Sequence, residues 1–529
     1  MIPPAKRYDG GSPVAYTTGM PILLVFALTA ACLPVKWPAP VVGNGRESAI
    51  RFTAAAVALS LLAAFWLRTW VVRTLVRNPS RKLEVAQGYA RVRRLLFFVN
   101  LAVVVVCVLV FGWGWSVREL LGGSAEDWHG APPFAELAVP LPYFLILAGA
   151  WLIYYDAERI LHQTTVFGPV NRAFWSRTGY FLHHLRQFLL LVLLPVLLFV
   201  TQQSLARVAP ETTSTTWYRV GSLALIPVLV LFLPLLIKPL LGLKPLPAGP
   251  TRDHLTALAR RLQFRCSDLL LWPTHGASAN AMIVGLLPHV RYVIFTDRLL
   301  DELTPAEVDA VLGHEVGHAK HGHIWFYAVF FVLSIAVLGG LLLLVGQQLD
   351  AMGFELPPWV ADWLPLVPVL LTATYLFVVF GYLSRRCERQ ADVYGCRAVS
   401  CANPRCSGHD ATTVYPARAS SLCPTGIRTF IRALTRVGEI NGVAASSRAR
   451  APVSVRGLMK GFLSWLKAWQ HATMPQRVAF LLSLIDEPQR ERRFQRNMLV
   501  LRWGLILALV AALVALGEAV SWHEFLAAL

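Results

Sequence analysis

Long apolar runs alternate with polar stretches along this chain, and the runs dictate the first elements. A helix needs about 20 apolar residues to cross the hydrocarbon core of a bilayer. Nine segments meet or approach that length: 19–35, 52–72, 95–115, 139–155, 180–200, 217–241, 324–346, 363–383 and 498–520. Two long pieces, 242–323 and 384–497, break the pattern and are too polar to be membrane-like. Only a two-span hairpin separates them, so they are expected to fold together as one domain. In the first piece, Leu255, Leu258 and Leu262 mark one face of a helix over 252–263. The runs 269–272, 281–284 and 290–295 read as short strands, with Gly285 and Pro288 turning the chain between the last two. The stretch 400–456, rich in Ser, Ala, Arg and Cys, reads as a loop or insertion rather than core. The expected layout is therefore a membrane region over 1–241 with about six spans and a first domain piece over 242–323. A transmembrane hairpin over 324–383, a second domain piece over 384–497 and a last span within 498–529 complete it. The fold class is mainly α, a polytopic membrane protein with a small β-sheet in its polar domain.

Charge placement sets the orientation. Loop 73–94 holds seven basic residues, whereas loop 116–138 holds only Arg118 beside four acids. Loop 347–362 has no basic residue and carries Asp350, Glu355 and Asp362; Arg490, Arg492, Arg493 and Arg496 precede the last span. Basic loops stay on the cytoplasmic side, so this alternation puts the N-terminus and both polar pieces inside and the C-terminus outside. Composition agrees. With 56% hydrophobic and 15% charged residues against about 25% charged in soluble proteins, a purely soluble enzyme is excluded. The net charge of +19 then reads as a topology signal, and no nucleic-acid partner is expected. Arg far outnumbers Lys, which points to a GC-rich genome and a bacterium; with the spans, the expected location is then a bacterial inner membrane. Within the spans, His183, His184 and Arg186, and the pair Glu158 and His162, stand near ends where ionisable groups snorkel to the interface.

The chemistry begins at Thr304-Pro305-Ala306-Glu307, which combines an N-cap, a proline at the first helical position and a capping-box Glu. The helix leads into His314-Glu315-Val316-Gly317-His318. A spacing of four puts both imidazoles on one face, where they can bind one Zn²⁺, and Glu315 beside them can take a proton from water. A His three residues after HExxHxxG would mark another zinc class, but position 321 is His and 324 is Ile. His321 lies too far along the helix to close a tetrahedron, so His321 and His323 read as interfacial polar residues. Across the hairpin, Ser384-Arg385-Arg386-Cys387-Glu388-Arg389-Gln390-Ala391-Asp392 puts Glu388 and Asp392 on one helix face. Glu388 can supply the third ligand while Asp392 orients a metal-bound His.

Together, GHEVGH, two spans and SRRCERQAD resemble the membrane zinc metallopeptidases (gluzincins) that include the CAAX prenyl endopeptidases and the bacterial heat-shock membrane protease. The resemblance covers roughly 250–485. It implies a zinc endopeptidase domain facing the cytoplasm, with Glu388 as the third ligand. It gives Asn280, in Ser278-Ala279-Asn280-Ala281, a place beside the substrate cleft. His471 and Arg477, in His471-Ala-Thr-Met-Pro475-Gln-Arg477, would stabilise the oxyanion. The expected partners are a peptide or membrane-protein substrate and the lipid bilayer. Strand 290–295 offers an edge to which an extended peptide can add. Two other readings stay open: a transporter or sensor carrying a gluzincin-like domain without turnover, and a protease cutting within the bilayer. Lys320, His321 and His323 argue against the second by placing HExxH ahead of a span.

Five cysteines fall between 387 and 423. Cys396, Cys401, Cys406 and Cys423, with His409 nearby, are compatible with a second, structural zinc, with unpaired thiols or with disulfides.

Overall fold

The structure, a computed structural model, describes residues 20–33, 35–122, 130–163, 173–353, 357, 363–401, 403–410, 412–417, 420–441 and 473–522. Glu355, Asp362 and the whole of 442–472, His471 included, lie outside the described residues.

Among the described residues, six helices are long and apolar enough to cross a membrane: Gly45–Arg77, Glu84–Leu109, Arg177–Val208, His323–Ala351, Leu366–Ala398 and Gln489–Val520. Each contains one of the nine expected runs or most of it. Leu59, Trp66, Leu499, Trp503 and Leu507 stand exposed on two of these helices, as expected of faces turned to lipid rather than water. The other three runs are helical too. Met20–Ala31 has 12 residues, about 18 Å at 1.5 Å per residue. Leu141–Gln163 carries Asp156, Glu158 and Arg159 in its second half, and Thr216–Leu240 contains the shorter apolar stretch Leu231–Leu240.

The chain forms two compact units. One comprises Met20–Leu223 with Leu338–Thr374. There Gly45–Arg77, Lys82–Leu109 and Leu141–Gln163 pack around Leu67, Val71, Tyr89, Tyr154 and Leu161. Glu158 does not snorkel. It is 2% exposed, accepts hydrogen bonds from Tyr89 Oη at 2.8 Å and Tyr180 Oη at 2.7 Å, and pairs with Arg93. His184 is also buried, stacked on Trp151 at 5.6 Å. A carboxylate taken from water needs such partners, and the helices close over these groups.

The other unit, Ala224–Val337 with Tyr375–Ala519, holds a four-stranded sheet: β1 (Lys244–Pro245), β2 (Asp268–Trp272), β3 (Ala281–Val284) and β4 (Tyr292–Thr296), in the order β1-β2-β4-β3. The run at 290–295 therefore offers no edge. As β4 it is parallel to β2 on one side and antiparallel to β3 on the other, and all five of its residues are buried. The edges are β1 and β3, and β3 lies against the helix Pro305–Lys320. That helix starts as expected, with a capping box between Thr304 and Glu307. Its Val308, Leu312 and Val316 join Leu255, Leu258, Ile283, Val293 and Phe295 in one core.

The stretch 400–456 is not all loop. Pro424–Ile440 is a helix that buries Ile427, Phe430 and Ala433 with Val393, Leu481 and Leu484. Its basic residues conceal an apolar stripe at 427, 430, 431 and 434, the spacing of an amphipathic helix.

What brings the chemistry together is the close packing of Pro305–Lys320 on the C-terminal half of Leu366–Ala398. A Cβ on Gly313 would meet the Cβ of Ala398 at 2.3 Å, and one on Gly317 would meet the Cβ of Tyr394 at 2.8 Å. Two bare backbone positions one turn apart let the helices approach, as small residues do at tight helix crossings. Gly313→Ala is expected to destabilise the fold by about 1–3 kcal/mol through overpacking, read as a lowered thermal unfolding midpoint of the purified protein.

Candidate active site

His314 and His318 lie one turn apart on Pro305–Lys320, and Glu388 reaches them from Leu366–Ala398. Their donor atoms converge: His314 Nε2 to His318 Nε2 is 3.2 Å, His318 Nε2 to Glu388 Oε1 is 3.6 Å, and His314 Nε2 to Glu388 Oε2 is 3.8 Å. Tetrahedral zinc with bonds of 2.0–2.1 Å would set such donors about 3.3 Å apart. The three groups therefore fit a single Zn²⁺ with little movement.

The atoms behind the triad fit as well. Nδ1 of His314 faces Oδ1 of Asp392 at 3.0 Å, off the angle of a linear hydrogen bond. Burial lowers the His314 pKa, but Asp392, with Glu388 and Glu315, more than offsets this and holds the imidazole above its ordinary value. Glu315, Glu388 and Asp392 against the one guanidinium of Arg477 leave two negative charges, a field that suits a dication. His318 is oriented differently. Its Nδ1 lies 3.0 Å from Nδ1 of His323, whose Nε2 lies 3.0 Å from Oε1 of Gln390. Gln390 Nε2 in turn donates to Gln495 Oε1 at 2.6 Å. If His318 binds metal through Nε2, its Nδ1–H donates to His323, which then donates to Gln390, so both imidazole N–H groups find an acceptor.

Arg477, on the helix Met474–Asp486, forks onto Asp392. Nε donates to Oδ2 at 2.8 Å and Nη2 donates to Oδ1, while Nη1 lies 3.5 Å from Glu388 Oε2. Its guanidinium is thus engaged with both carboxylates. Phe430 stacks on the His314 ring at 5.9 Å.

Asn280 is exposed at the start of β3. Its backbone N–H donates to Thr296 Oγ1 at 2.8 Å and its carbonyl accepts from Thr296 N at 2.9 Å, fixing the residue just before the strand. Asn441 clamps the preceding residue, accepting from Ala279 N at 3.0 Å and donating to Ala279 O at 2.7 Å.

Residues 255–411 match peptidase family M48. The matched segment contains His314, Glu315, His318, Glu388 and Asp392; Arg477 lies beyond it. A CAAX prenyl protease 1 homolog of Arabidopsis thaliana is 26% identical over 350 residues, covering 61% of this chain and 78% of that protein. Protease HtpX homolog 2 of Methanosarcina acetivorans is 31% identical over 125 residues, 21% of this chain and 38% of that protein. The crystal structure of S. mikatae Ste24p superimposes with a TM-score of 0.50 at 15% identity, covering 82% of this chain and 98% of that one, and so has a similar fold. The resemblance read from the motifs stands: a segment that matches peptidase family M48, within an integral membrane chain.

Three residues that contact the site or its neighbouring strand carry no such part in the sequence. His323 is fully buried, not interfacial, and Gln390 and Asn441 had no assigned part. The available signals were slight: a His five residues past His318, and a Gln two residues past Glu388. His323→Phe is expected to weaken zinc affinity by about 10–100-fold, the usual effect of losing such a partner, measured by competition with a chromogenic chelator. His321 differs. Burial, with Arg397 and Arg502 adding to it, pushes its pKa down to about 4, so it stays neutral at the end of the helix.

The cysteines divide otherwise than expected. Cys401, Cys406 and Cys423 come together with His409, all four donor atoms within 4.8 Å of one another. Cys396 is not among them: it lies on Leu366–Ala398 and is buried in the apolar cluster with Val393 and Phe430.

Proposed function

We propose that the chain is an integral-membrane zinc endopeptidase in which His314, His318 and Glu388 hold the metal and Glu315 is the general base. The observation that carries this reading is the convergence of three zinc-type donors from two helices, with a carboxylate adjacent in sequence to the first. Bound there, Zn²⁺ supplies Lewis acidity, lowering the pKa of water and polarising a carbonyl. Glu315 accepts the proton of the attacking water and passes it to the leaving amine. Asp392 holds the tautomer of His314, His323 holds that of His318, and Arg477 compensates the charge of Asp392 and Glu388. His471 takes the oxyanion role on the resemblance alone.

The substrate is an extended peptide that adds to the free side of β3, where Asn280 meets it. The domain consists of 242–323 and 384–497 and faces the cytoplasm of a bacterial inner membrane, in a chain of about nine spans. Processing or quality control of membrane proteins suits such a placement. The test is incubation of the purified chain, in proteoliposomes, with an unfolded membrane protein, and mapping of the products by mass spectrometry. Cleavage in segments outside the bilayer is expected. A folded, zinc-loaded chain that cuts no peptide would overturn the reading in favour of a sensor or transporter.

A further inference from the structure

Among its described residues, the segment 400–423 has almost no apolar core of its own. Val414 is exposed, and the buried cluster in this region consists of Cys401, Cys406 and Cys423. None of the three is in a disulfide. Nε2 of His409 lies 3.3 Å from Sγ of Cys423 and 3.7 Å from Sγ of Cys406, while Sγ of Cys401 is within 4.8 Å of the other donors. Tetrahedral zinc with Zn–S of about 2.3 Å and Zn–N of about 2.0 Å would place S and N donors roughly 3.5 Å apart. The His409 ring is also braced, edge-on to Tyr415 at 5.5 Å.

We propose that Cys401, Cys406, His409 and Cys423 form a structural Zn²⁺ site of the Cys₃His type. Four protein donors close the tetrahedron, so no position is left for a substrate or a reacting water. The surroundings suit thiolates: the Gly426 N–H at the start of the helix Pro424–Ile440 points at Cys423 Sγ at 3.2 Å, and Thr425 Oγ1 lies 3.1 Å from Cys406 Sγ. A disulfide would use two thiols and strand the third beside an imidazole, whereas one metal satisfies all four groups.

The site has a structural consequence. Cys423 is the N-cap of Pro424–Ile440, and that helix carries Phe430 onto the His314 ring and Arg432 onto Glu307, the capping-box residue of the HExxH helix. The metal would thus pin the helix that backs the active site. This inference does not depend on peptide hydrolysis.

Metal stoichiometry of the full-length chain, purified without chelator, tests it. Wild-type protein is expected to hold two zinc ions, His314→Ala/His318→Ala to keep one, and Cys401→Ser/Cys406→Ser to keep one with a lower unfolding midpoint. Replacing zinc by cobalt in the double-histidine variant is expected to give a thiolate-to-metal charge-transfer band. If the cysteine variant does not fold, that spectrum decides: absence of the band overturns the proposal. So would a wild-type protein whose single zinc is lost with the two histidines, or a disulfide among the three cysteines found by mass spectrometry.

Discussion

Glu315→Gln is expected to lower peptide hydrolysis by about 10²–10⁴-fold, the range for loss of a positioned general base, while zinc content stays at the wild-type level. The amide matches the carboxylate in size but cannot accept the proton of an attacking water. Glu315 is not one of the three converging donors, so the metal should remain. The loss should fall on kcat rather than KM, since the β3 edge and Asn280, proposed to receive the peptide, are untouched. Single-turnover hydrolysis of a defined peptide, with zinc measured on the same sample, checks this. Undiminished turnover would remove Glu315 from the mechanism. Loss of zinc would instead show that Glu315 supports the metal rather than the water.

What could be read from the sequence was local. The HExxH helix announced its start through Thr304, Pro305 and Glu307, and its spacing placed two imidazoles on one face, because both depend on residues a turn apart. The pairing of Glu388 with Asp392 is legible for the same reason, and the HExxH motif upstream makes Glu388 the candidate third ligand. Strand positions came out within about two residues, but the edge did not. Which strand is central depends on β2 reaching past β3 to pair with β4, a long-range choice with no local signature. Burial was misjudged similarly. His323 and Glu158 look interfacial by their distance from a span's middle, yet Gln390 and the hydroxyls of Tyr89 and Tyr180 let them be enclosed. Cys396 was grouped with its neighbours by spacing, but helix geometry turns it into the apolar core, and His409 takes the fourth place. The spans were the most legible feature, since apolar length alone defines them. Of the runs outside the six, Met20–Ala31 is short and Leu141–Gln163 carries internal charge.

Asp392→Ala is expected to cost about 3–5 kcal/mol of stability, because it leaves the Arg477 guanidinium buried beside the site without its main counter-charge. Asp392 is 0% exposed and Arg477 8%, so water cannot take over the lost contacts. The same change removes the acceptor facing His314 Nδ1, and zinc affinity should fall by about 10–100-fold. The second charge separates these effects. Asp392→Ala/Arg477→Met removes both ions, and replacing a buried pair by apolar groups is often close to neutral, so most of the stability should return. Zinc affinity should not, because His314 still lacks its orienting carboxylate. Denaturant unfolding and chelator competition on wild type, both single variants and the double variant give the two cycles. If affinity recovers with stability in the double variant, Asp392 acts only through the fold. If neither recovers, the Asp392–Arg477 pair is not the unit that the geometry describes, and Arg477 must act on Glu388 through the 3.5 Å contact of its Nη1.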